Sequence, residues 1–192
     1  MKFFMNEENV NKYIEMTKEY DPSWIVGKVR DYLTEGSTLL ELGMGEGKDL
    51  DLLSKYYDVI GTDNSEIFIE KYKAKDTGIE VICMDAVEMN IDVKVDCIYS
   101  NKVLHHLTKD DFIKSLYNQF KILNDDGIIF MTLWRDEFKE ETMHNGEIRF
   151  TYYLEDDIRE IVKEKYEIVN IQVYTEFEEA EDDSLLIVLK KK

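Results

Sequence analysis

The chain has 192 residues, a length that fits one domain, and 42 acidic against 24 basic side chains give it a formal charge of −18. Affinity for nucleic acid comes mostly from Lys and Arg side chains that neutralise phosphates, so this composition predicts no nucleic-acid partner. No apolar run approaches the roughly 20 residues of a membrane-spanning helix, so we expect no membrane span.

Two further features predict a cytoplasmic protein. The apolar run at residues 3–5 is too short for a signal peptide, because the chain turns acidic directly after it. Cys83 and Cys97 each fall in an apolar run that predicts a buried strand. This placement favours reduced thiols in the core over a disulfide.

Two helices are predicted before the first strand. Apolar positions at helical spacing mark the first of them: Val10, Tyr13, Ile14 and Thr17. Asp21 and Pro22 form a strong start signal for the second, which we expect to end near Gly36. The predicted organisation is a single domain with N-terminal helices in residues 1–35 and a core in residues 36–192.

The apolar run 39–42 predicts a buried strand that ends in Gly43, Gly45 and Gly47, followed by a helical pattern. Glycine lets the backbone approach a ligand closely, and open α/β sheets bind cofactors where strand ends meet helix N-termini. The dinucleotide fingerprint G-x-G-x-x-G requires a glycine at the position that Lys48 occupies. The motif therefore predicts a nucleotide-like cofactor, and its spacing disfavours a dinucleotide.

Three more apolar runs end in polar residues. The second strand is predicted at 59–63 and ends in Asp63, about 20 residues after the first strand, where an acid accepts hydrogen bonds from ribose hydroxyls. The run 81–86 ends in Asp85 and Ala86, and the run 95–101 ends in Asn101. The carboxyl ends of parallel strands share one edge, so these side chains are expected to lie together.

The rest of the chain predicts one more strand, a helix and a final pair of strands. Residues 127–134 are almost wholly apolar, as expected for a strand covered on both faces, and a helix is predicted over 154–165. Residues 169–173 alternate apolar and polar, which predicts an exposed face or a sheet edge. Residues 185–189 are wholly apolar and should lie between neighbours.

The order of these motifs resembles that of the class I S-adenosylmethionine-dependent methyltransferases. The matching elements are E-x-G-x-G-x-G at 41–47, Asp63, Asp85-Ala86, and D-x-I-x-S-N-x-V-L-H-H-L at 96–107. The resemblance covers about residues 20–192. It implies a Rossmann-like three-layer α/β sandwich whose mostly parallel seven-stranded sheet has the order 3-2-1-4-5-7-6, with strand 7 antiparallel. It also implies S-adenosyl-L-methionine as cofactor and in-line methyl transfer to a small-molecule acceptor.

The resemblance also implies a set of cofactor-binding residues. Asp63 would bind the ribose hydroxyls, Asn64 would line the adenine side, and Asp85 would meet the adenine amino group. Met44 stands where the family commonly has a small residue, and its side chain either packs in the core or narrows the pocket. The full set is Glu41, Gly43, Met44, Gly45, Gly47, Asp63, Asn64, Asp85, Ala86 and Asn101.

His105 and His106 are the candidate catalytic bases, because histidine moves protons near neutral pH and the pair follows the fourth strand. The structural alternative is that one satisfies backbone groups and the other packs on the cofactor. No Cys/His spacing predicts a metal site. Aromatic residues in the N-terminal helices, Tyr13, Tyr20 and Trp24, would help to cover a small or cationic acceptor. The short connection 135–151 leaves no room for a large cap.

Two other functions remain open at the level of the sequence. A nicotinamide-dependent oxidoreductase would use a similar sheet, and Lys48, Glu41 and the predicted terminal hairpin argue against it. A non-catalytic cofactor-binding or interaction protein would retain the fold. Its interface would be the acidic segment 176–183, which is otherwise a solvated loop between two strands.

Overall fold

The computed structural model describes residues 3–176 and 183–192. The helices are α1 (Glu7–Met16), α2 (Ser23–Val29), α3 (Lys48–Leu53), α4 (Glu66–Lys73), α5 (Lys109–Ile122) and α6 (Glu155–Val162). The strands are β1 (Thr38–Leu42), β2 (Asp58–Asp63), β3 (Glu80–Cys83), β4 (Val95–Asn101), β5 (Leu123–Trp134), β6 (Lys139–Met143), β7 (Ile148–Tyr152), β8 (Tyr166–Tyr174) and β9 (Ser184–Lys191). Short 3₁₀ turns lie at Phe3–Met5 and Leu104–His106.

Seven of these strands form one sheet in the order β3-β2-β1-β4-β5-β9-β8. The first five are parallel, and β9 is antiparallel to both β5 and β8. Since β6 and β7 pair only with each other, β8 and β9 are the sixth and seventh strands of the main sheet. The predicted order 3-2-1-4-5-7-6 is therefore confirmed, as are the antiparallel last strand and the α/β class.

Helices cover both faces of the sheet because successive residues of a strand point to opposite sides. Leu39 packs in a cluster with Ile25 and Val29 of α2, whereas Leu40 packs with Phe112 of α5 on the other face. Residues 184–189 are all buried, since β9 lies between β5 and β8 with both faces covered. This explains why that strand has no polar alternation.

The second helix is shorter than predicted. It begins at Ser23, with Pro22 at the N-cap position, and Asp21 Oδ1 accepts the Ser23 N–H at 2.9 Å. It ends at Val29, seven residues before Gly36, because the chain turns there to enter β1. Gly36 has a φ of +83° and its N–H donates to Tyr56 O at 2.7 Å, which fixes the turn.

One prediction about strand burial is wrong. Cys83 is exposed, because it ends β3, an edge strand of the sheet, whereas Cys97 in β4 is fully buried. The strand predicted at 169–173 to have an exposed face or to lie at an edge is β8, the other edge of the sheet, where an irregularity between Ile168 and Asn170 shifts the register and leaves Val169 47% exposed. A bulge of this kind moves every following side chain to the other face.

The β6–β7 hairpin was not predicted from the sequence. Its first strand is charged and mostly exposed, so no apolar alternation marks it. Its turn contains His144, Asn145 and Gly146, all with positive φ. The hairpin lies in the connection 135–151, and it adds a wall to the site described below.

Within residues 3–176 and 183–192, every helix is too short or too polar to cross a membrane.

Most of the acidic segment, Glu178, Glu179, Glu181 and Asp182, lies outside the described residues. At its described ends the Glu176 N–H donates to Asp183 Oδ1 at 3.0 Å.

Candidate active site

A cavity of about 760 Å³ opens at the carboxyl edge of β1, β2 and β4. The parallel strands bring to this one edge residues that lie far apart in the chain. The cofactor-binding residues predicted from the sequence that line the cavity are Gly43, Gly45, Asp63, Asn64, Asp85, Ala86 and Asn101. Glu41, Met44 and Gly47 are not among the residues lining it.

The three glycines of the loop between β1 and α3 all have positive φ, but their surroundings differ. A Cβ at Gly43 would lie 2.5 Å from Val103 Cγ1, and one at Gly47 would overlap the Tyr72 ring. A Cβ at Gly45 would meet no atom within 4 Å. The lack of a side chain at Gly43 and Gly47 therefore lets Val103 and Tyr72 pack against the loop. The lack of one at Gly45 leaves the floor of the cavity open.

The Met44 side chain lies in the core and is only 5% exposed. It packs with Leu50 and Tyr72, and its sulfur lies 2.6 Å from where a Cβ of Gly61 would be. The missing side chain of Gly61 thus makes room for Met44 beneath the loop. Of the two outcomes considered for Met44, the structure shows packing in the core.

Asp63 ends β2 with both carboxylate oxygens already hydrogen-bonded. Oδ2 accepts the Gly45 N–H at 3.0 Å and Oδ1 accepts the Ser65 N–H at 2.8 Å. Burial raises the pKa of this carboxyl, and the backbone donors act in the opposite direction. Each oxygen has a second lone pair, so the carboxylate that holds the glycine loop in place can also accept hydrogen bonds from a ligand.

Glu41 lies beneath the loop and is 3% exposed. Its Oε2 has no hydrogen-bond partner within the part of the chain that the structure describes. Burial raises the pKa of this carboxyl well above its usual value, and the nearby carboxylates of Asp49 and Asp63 add to the effect. Both effects act against the charged form of Glu41.

Asp85 lies at the adjacent end of β3 and caps the turn that follows. Its Oδ1 accepts the N–H groups of Val87 and Glu88 at 2.7 and 3.0 Å. Both hydrogen bonds use one oxygen, so Oδ2 is the atom of this carboxylate left for another donor. Asp85 and Ala86 together line the end of the cavity opposite Asn101.

Asn101 ends β4 and belongs to a buried polar network that the sequence analysis missed. Its Nδ2 donates to Tyr20 Oη at 2.7 Å and to Asp49 Oδ2 at 3.0 Å, while its Oδ1 accepts from Thr132 Oγ1. Tyr99 Oη donates to the same Asp49 oxygen at 2.6 Å. Asp49 stands in the first turn of α3, where an acid normally signals only a favourable helix start.

The two histidines differ sharply in position. His105 is 1% exposed, is stacked on Phe150 with ring centroids 5.5 Å apart, and does not line the cavity. His106 lines the cavity, and its Nδ1 lies 2.7 Å from Arg149 O. A carbonyl oxygen only accepts, so Nδ1 carries the proton and Nε2 keeps a lone pair. Burial lowers the pKa of His106, which favours the neutral imidazole.

Two segments outside the sheet complete the walls. Phe4 and Tyr13 come from the N-terminal segment, and their rings lie 5.2 Å apart against Phe68 of α4. Thr142 and Arg149 come from the β6–β7 hairpin. The two segments meet where the Phe3 ring lies 5.1 Å from the ring of His144 in the hairpin turn, so together they form a continuous wall. The described residues contain no group of three or more His, Cys, Asp or Glu side chains that would hold a metal ion.

The sheet order and the glycine loop beneath a cavity define a Rossmann-like cofactor-binding fold. Residues 39–127 match the family model described as a methyltransferase domain. The matched segment covers just under half of the chain, and over that segment the chain is similar to methyltransferases. Among curated proteins, no sequence matches.

Solved structures with the same fold share little sequence with this chain. The 1,6-didemethyltoxoflavin-N1-methyltransferase of Burkholderia thailandensis has a TM-score of 0.82 at 16% identity, covering 96% of this chain and 84% of that one. The N-methyltransferase NodS of Bradyrhizobium japonicum has a TM-score of 0.68 at 16% identity, covering 95% and 98%. The glycopeptide N-methyltransferase MtfA has a TM-score of 0.72 at 13% identity, covering 91% of each chain.

Three observations of this structure are consistent with S-adenosylmethionine as the ligand of this cavity. Gly45 leaves a floor without side-chain atoms, so a ligand can approach its backbone. Asp63 presents a buried carboxylate with lone pairs for hydroxyl donors beside that floor. A cavity of about 760 Å³ lies in the range of small-molecule and cofactor sites.

Proposed function

We propose that the protein transfers the methyl group of S-adenosylmethionine to a small-molecule acceptor. The observation that carries the proposal is the one cavity that joins the glycine loop and Asp63 to Asn101 and His106. The similar N-methyltransferases from Burkholderia thailandensis and Bradyrhizobium japonicum were crystallised with S-adenosylhomocysteine, the first also with 1,6-didemethyltoxoflavin. These neighbours support a small acceptor.

The cofactor, when bound, supplies an activated methyl group on a sulfonium that leaves as a neutral sulfide. We assign Gly45 and Asp63 to cofactor binding at the loop, and Asp85, Ala86 and Asn64 to the far end of the cavity. Gly43 lines the cavity beside Gly45 and is assigned to the same binding surface. Gly47 shapes the loop, and the side chains of Met44 and Glu41 support it from below. The remaining requirement is to hold the acceptor in line with the methyl group. Positioning of this kind lowers a barrier by about 7–11 kcal/mol.

His106 is the base we assign to acceptors that must lose a proton. Its hydrogen bond to Arg149 O fixes the tautomer with Nε2 as the acceptor, and its lowered pKa keeps it neutral near pH 7. A lone pair held in a cavity wall is what a general base requires. His105 is buried behind Phe150 and does not line the cavity, so we assign it a packing role.

The net charge supports the class of acceptor, and the free thiols support a cytoplasmic location. A net charge of −18 repels the phosphate backbone of nucleic acid, so a small molecule is favoured over RNA or DNA as acceptor. Cys83 is a free exposed thiol and Cys97 a free buried one, which suits the reducing cytoplasm.

The test combines calorimetry with a transfer assay. We expect S-adenosylhomocysteine to bind the purified protein and NAD not to bind at comparable concentration. With methyl-labelled S-adenosylmethionine, label should enter pooled small metabolites but not RNA or DNA at low salt, where electrostatic attraction is strongest. Tight NAD binding without a response to S-adenosylhomocysteine would contradict the cofactor. Labelling confined to nucleic acid would contradict the acceptor class.

A further inference from the structure

A second cavity, of about 660 Å³, lies beside α2 and the end of β8. Its volume lies in the range of small-ligand sites. Asn101 lines this cavity as well as the cofactor cavity. A ligand in the second cavity therefore reaches the carboxyl end of β4, where the cofactor cavity begins.

One wall of the second cavity is aromatic. The rings of Trp24 and Tyr174 lie 5.0 Å apart with a tilt of 42°, and Tyr20 continues the wall towards Asn101. Trp24 is 47% exposed although it is one of only two tryptophans in the chain. Aromatic faces carry partial negative charge and attract cations within about 6 Å.

The charges around the cavity are mostly negative. Asp21 and Glu176 line it, and Asp49 lies directly behind Asn101. Hydrogen bonds from the Ser23 hydroxyl and the Ser23 N–H lower the pKa of Asp21, which favours the carboxylate form. Lys102 Nζ lies 3.1 Å from Glu176 Oε2 and offsets one of the two lining charges. A negative balance remains on the wall.

Two residues that line the second cavity, Tyr174 and Glu176, already contact the ammonium group of Lys102. Lys102 Nζ lies 3.3 Å from the Trp134 ring centroid and 5.5 Å from that of Tyr174. Burial lowers the pKa of Lys102 to about 8, so the group is still mostly protonated at neutral pH. Aromatic rings and a carboxylate thus bind a cation within the fold. Two of these groups, Tyr174 and Glu176, also line the second cavity, so the same kinds of group are available there to a ligand.

We propose that the second cavity binds the ammonium group of the methyl acceptor, a small organic amine. The atom that accepts the methyl group is a different nucleophile of the same molecule, because an ammonium nitrogen has no lone pair. The inference rests on the proposed methyltransferase function and adds the acceptor's chemical class and its place. The carboxylates of Asp21 and Glu176 would repel an anionic acceptor. A purely apolar acceptor would desolvate the Asp21 carboxylate and offer it no opposite charge in return, which is costly.

Calorimetry with a matched pair of probes tests the class of ligand without relying on turnover. The probes are choline, a permanent cation, and its uncharged analogue in which a carbon atom replaces the nitrogen. We expect choline to bind about tenfold more tightly than the analogue, since cation–π and carboxylate contacts act on the charge alone. Equal binding of the two probes, or no binding of either, overturns the proposal.

A pair of variants tests whether the cation binds in the second cavity. Trp24→Leu removes one of the three rings of the aromatic wall. Tyr117→Leu is the control: it removes a ring on α5 that is equally exposed, at 47%, and that contacts lysine ammonium groups. We expect Trp24→Leu to weaken choline binding by about tenfold and Tyr117→Leu to leave it unchanged. Unchanged binding in Trp24→Leu, or equal loss in both variants, places the cation elsewhere and overturns the proposal.

Titration of the same three proteins with S-adenosylhomocysteine separates this proposal from the proposed function. Trp24 does not line the cofactor cavity, so all three should bind S-adenosylhomocysteine alike. That result also shows that the variants are folded. Absence of S-adenosylhomocysteine binding in the unaltered protein contradicts the proposed function while the choline result stands on its own.

Discussion

At the scale of single residues, the glycine loop contains two kinds of glycine. Gly45 and Gly47 both have positive φ, +53° and +84°, so any side chain there strains the backbone by about 1–2 kcal/mol. Only at Gly47 would a Cβ also overlap another side chain, the Tyr72 ring. The same substitution at the two positions therefore separates a ligand effect from a packing effect.

We expect Gly47→Ala to lower the free energy of unfolding by about 1–3 kcal/mol more than Gly45→Ala does, because overpacking adds to the shared backbone strain. Gly45→Ala should instead lose affinity for S-adenosylhomocysteine, because its methyl group projects into open space at the cavity floor. Denaturant unfolding and calorimetry on both variants give the comparison. Full affinity in Gly45→Ala would show that this glycine only forms the turn.

Asp63 is the second residue whose two roles can be separated. Asp63→Asn keeps a carbonyl oxygen for one backbone donor but removes the negative charge. Hydrogen bonds to charged groups contribute about 1.5–3 kcal/mol each, so we expect affinity for S-adenosylhomocysteine to fall by about tenfold or more. Calorimetry measures the loss and circular dichroism checks the fold. Unchanged affinity would mean that the carboxylate serves only Gly45 and Ser65.

At the scale of elements, the turn at Leu104–His106 packs against the β6–β7 hairpin, which buries His105 and leaves His106 half-buried in the cavity wall. Burial lowers the pKa of His105 well below its usual value, and its Nδ1 has no hydrogen-bond partner among residues 3–176 and 183–192. Between the folded pKa and the unfolded value of about 6.5, the unfolded chain binds more protons. Stability contributed by neutral His105 is thus complete above about pH 6.5 and decreases as the pH falls below it.

We therefore expect the free energy of unfolding to decrease less between about pH 7 and pH 5 in His105→Phe than in the unaltered protein. Phenylalanine keeps a ring against Phe150 and does not titrate. Denaturant unfolding at several pH values measures both slopes. Buried carboxylates such as Asp49, whose pKa is raised, act in the opposite direction in both proteins. Identical slopes would show that His105 is not buried as a neutral group.

The elements that the sequence predicts best are those with a strong apolar pattern. Six of the seven strands of the main sheet follow apolar runs, and β8 follows an alternating pattern. The wholly apolar residues 185–189 indicate the interior position of β9. The β6–β7 hairpin has no such pattern, since β6 is charged and exposed and is defined by pairing with β7. The exposure of Val169 depends on a bulge, and that of Cys83 on its position in an edge strand. Both features arise from the pairing of strands, which the local sequence does not show.

At the scale of the whole molecule, the motifs predict which residues share the cavity because parallel strands end at one edge. The partners of those residues follow from long-range contacts instead. The Asn101 network joins Tyr20 of the N-terminal segment, Asp49 of α3 and Thr132 of β5, and local sequence does not show that they meet. Likewise the space for Met44 depends on Gly61, which stands in another strand.

The position of β9 has a consequence for how the protein forms during synthesis. Residues 184–191 are the last of the seven sheet strands to leave the ribosome, yet they lie between β5 and β8. Until they emerge, β5 has an open edge and β8 has no partner in the sheet. Open edges of this kind are templates for pairing with other chains. The nascent chain is thus most exposed to aggregation just before its sheet closes, and only then can α6 and β8 dock in their final places.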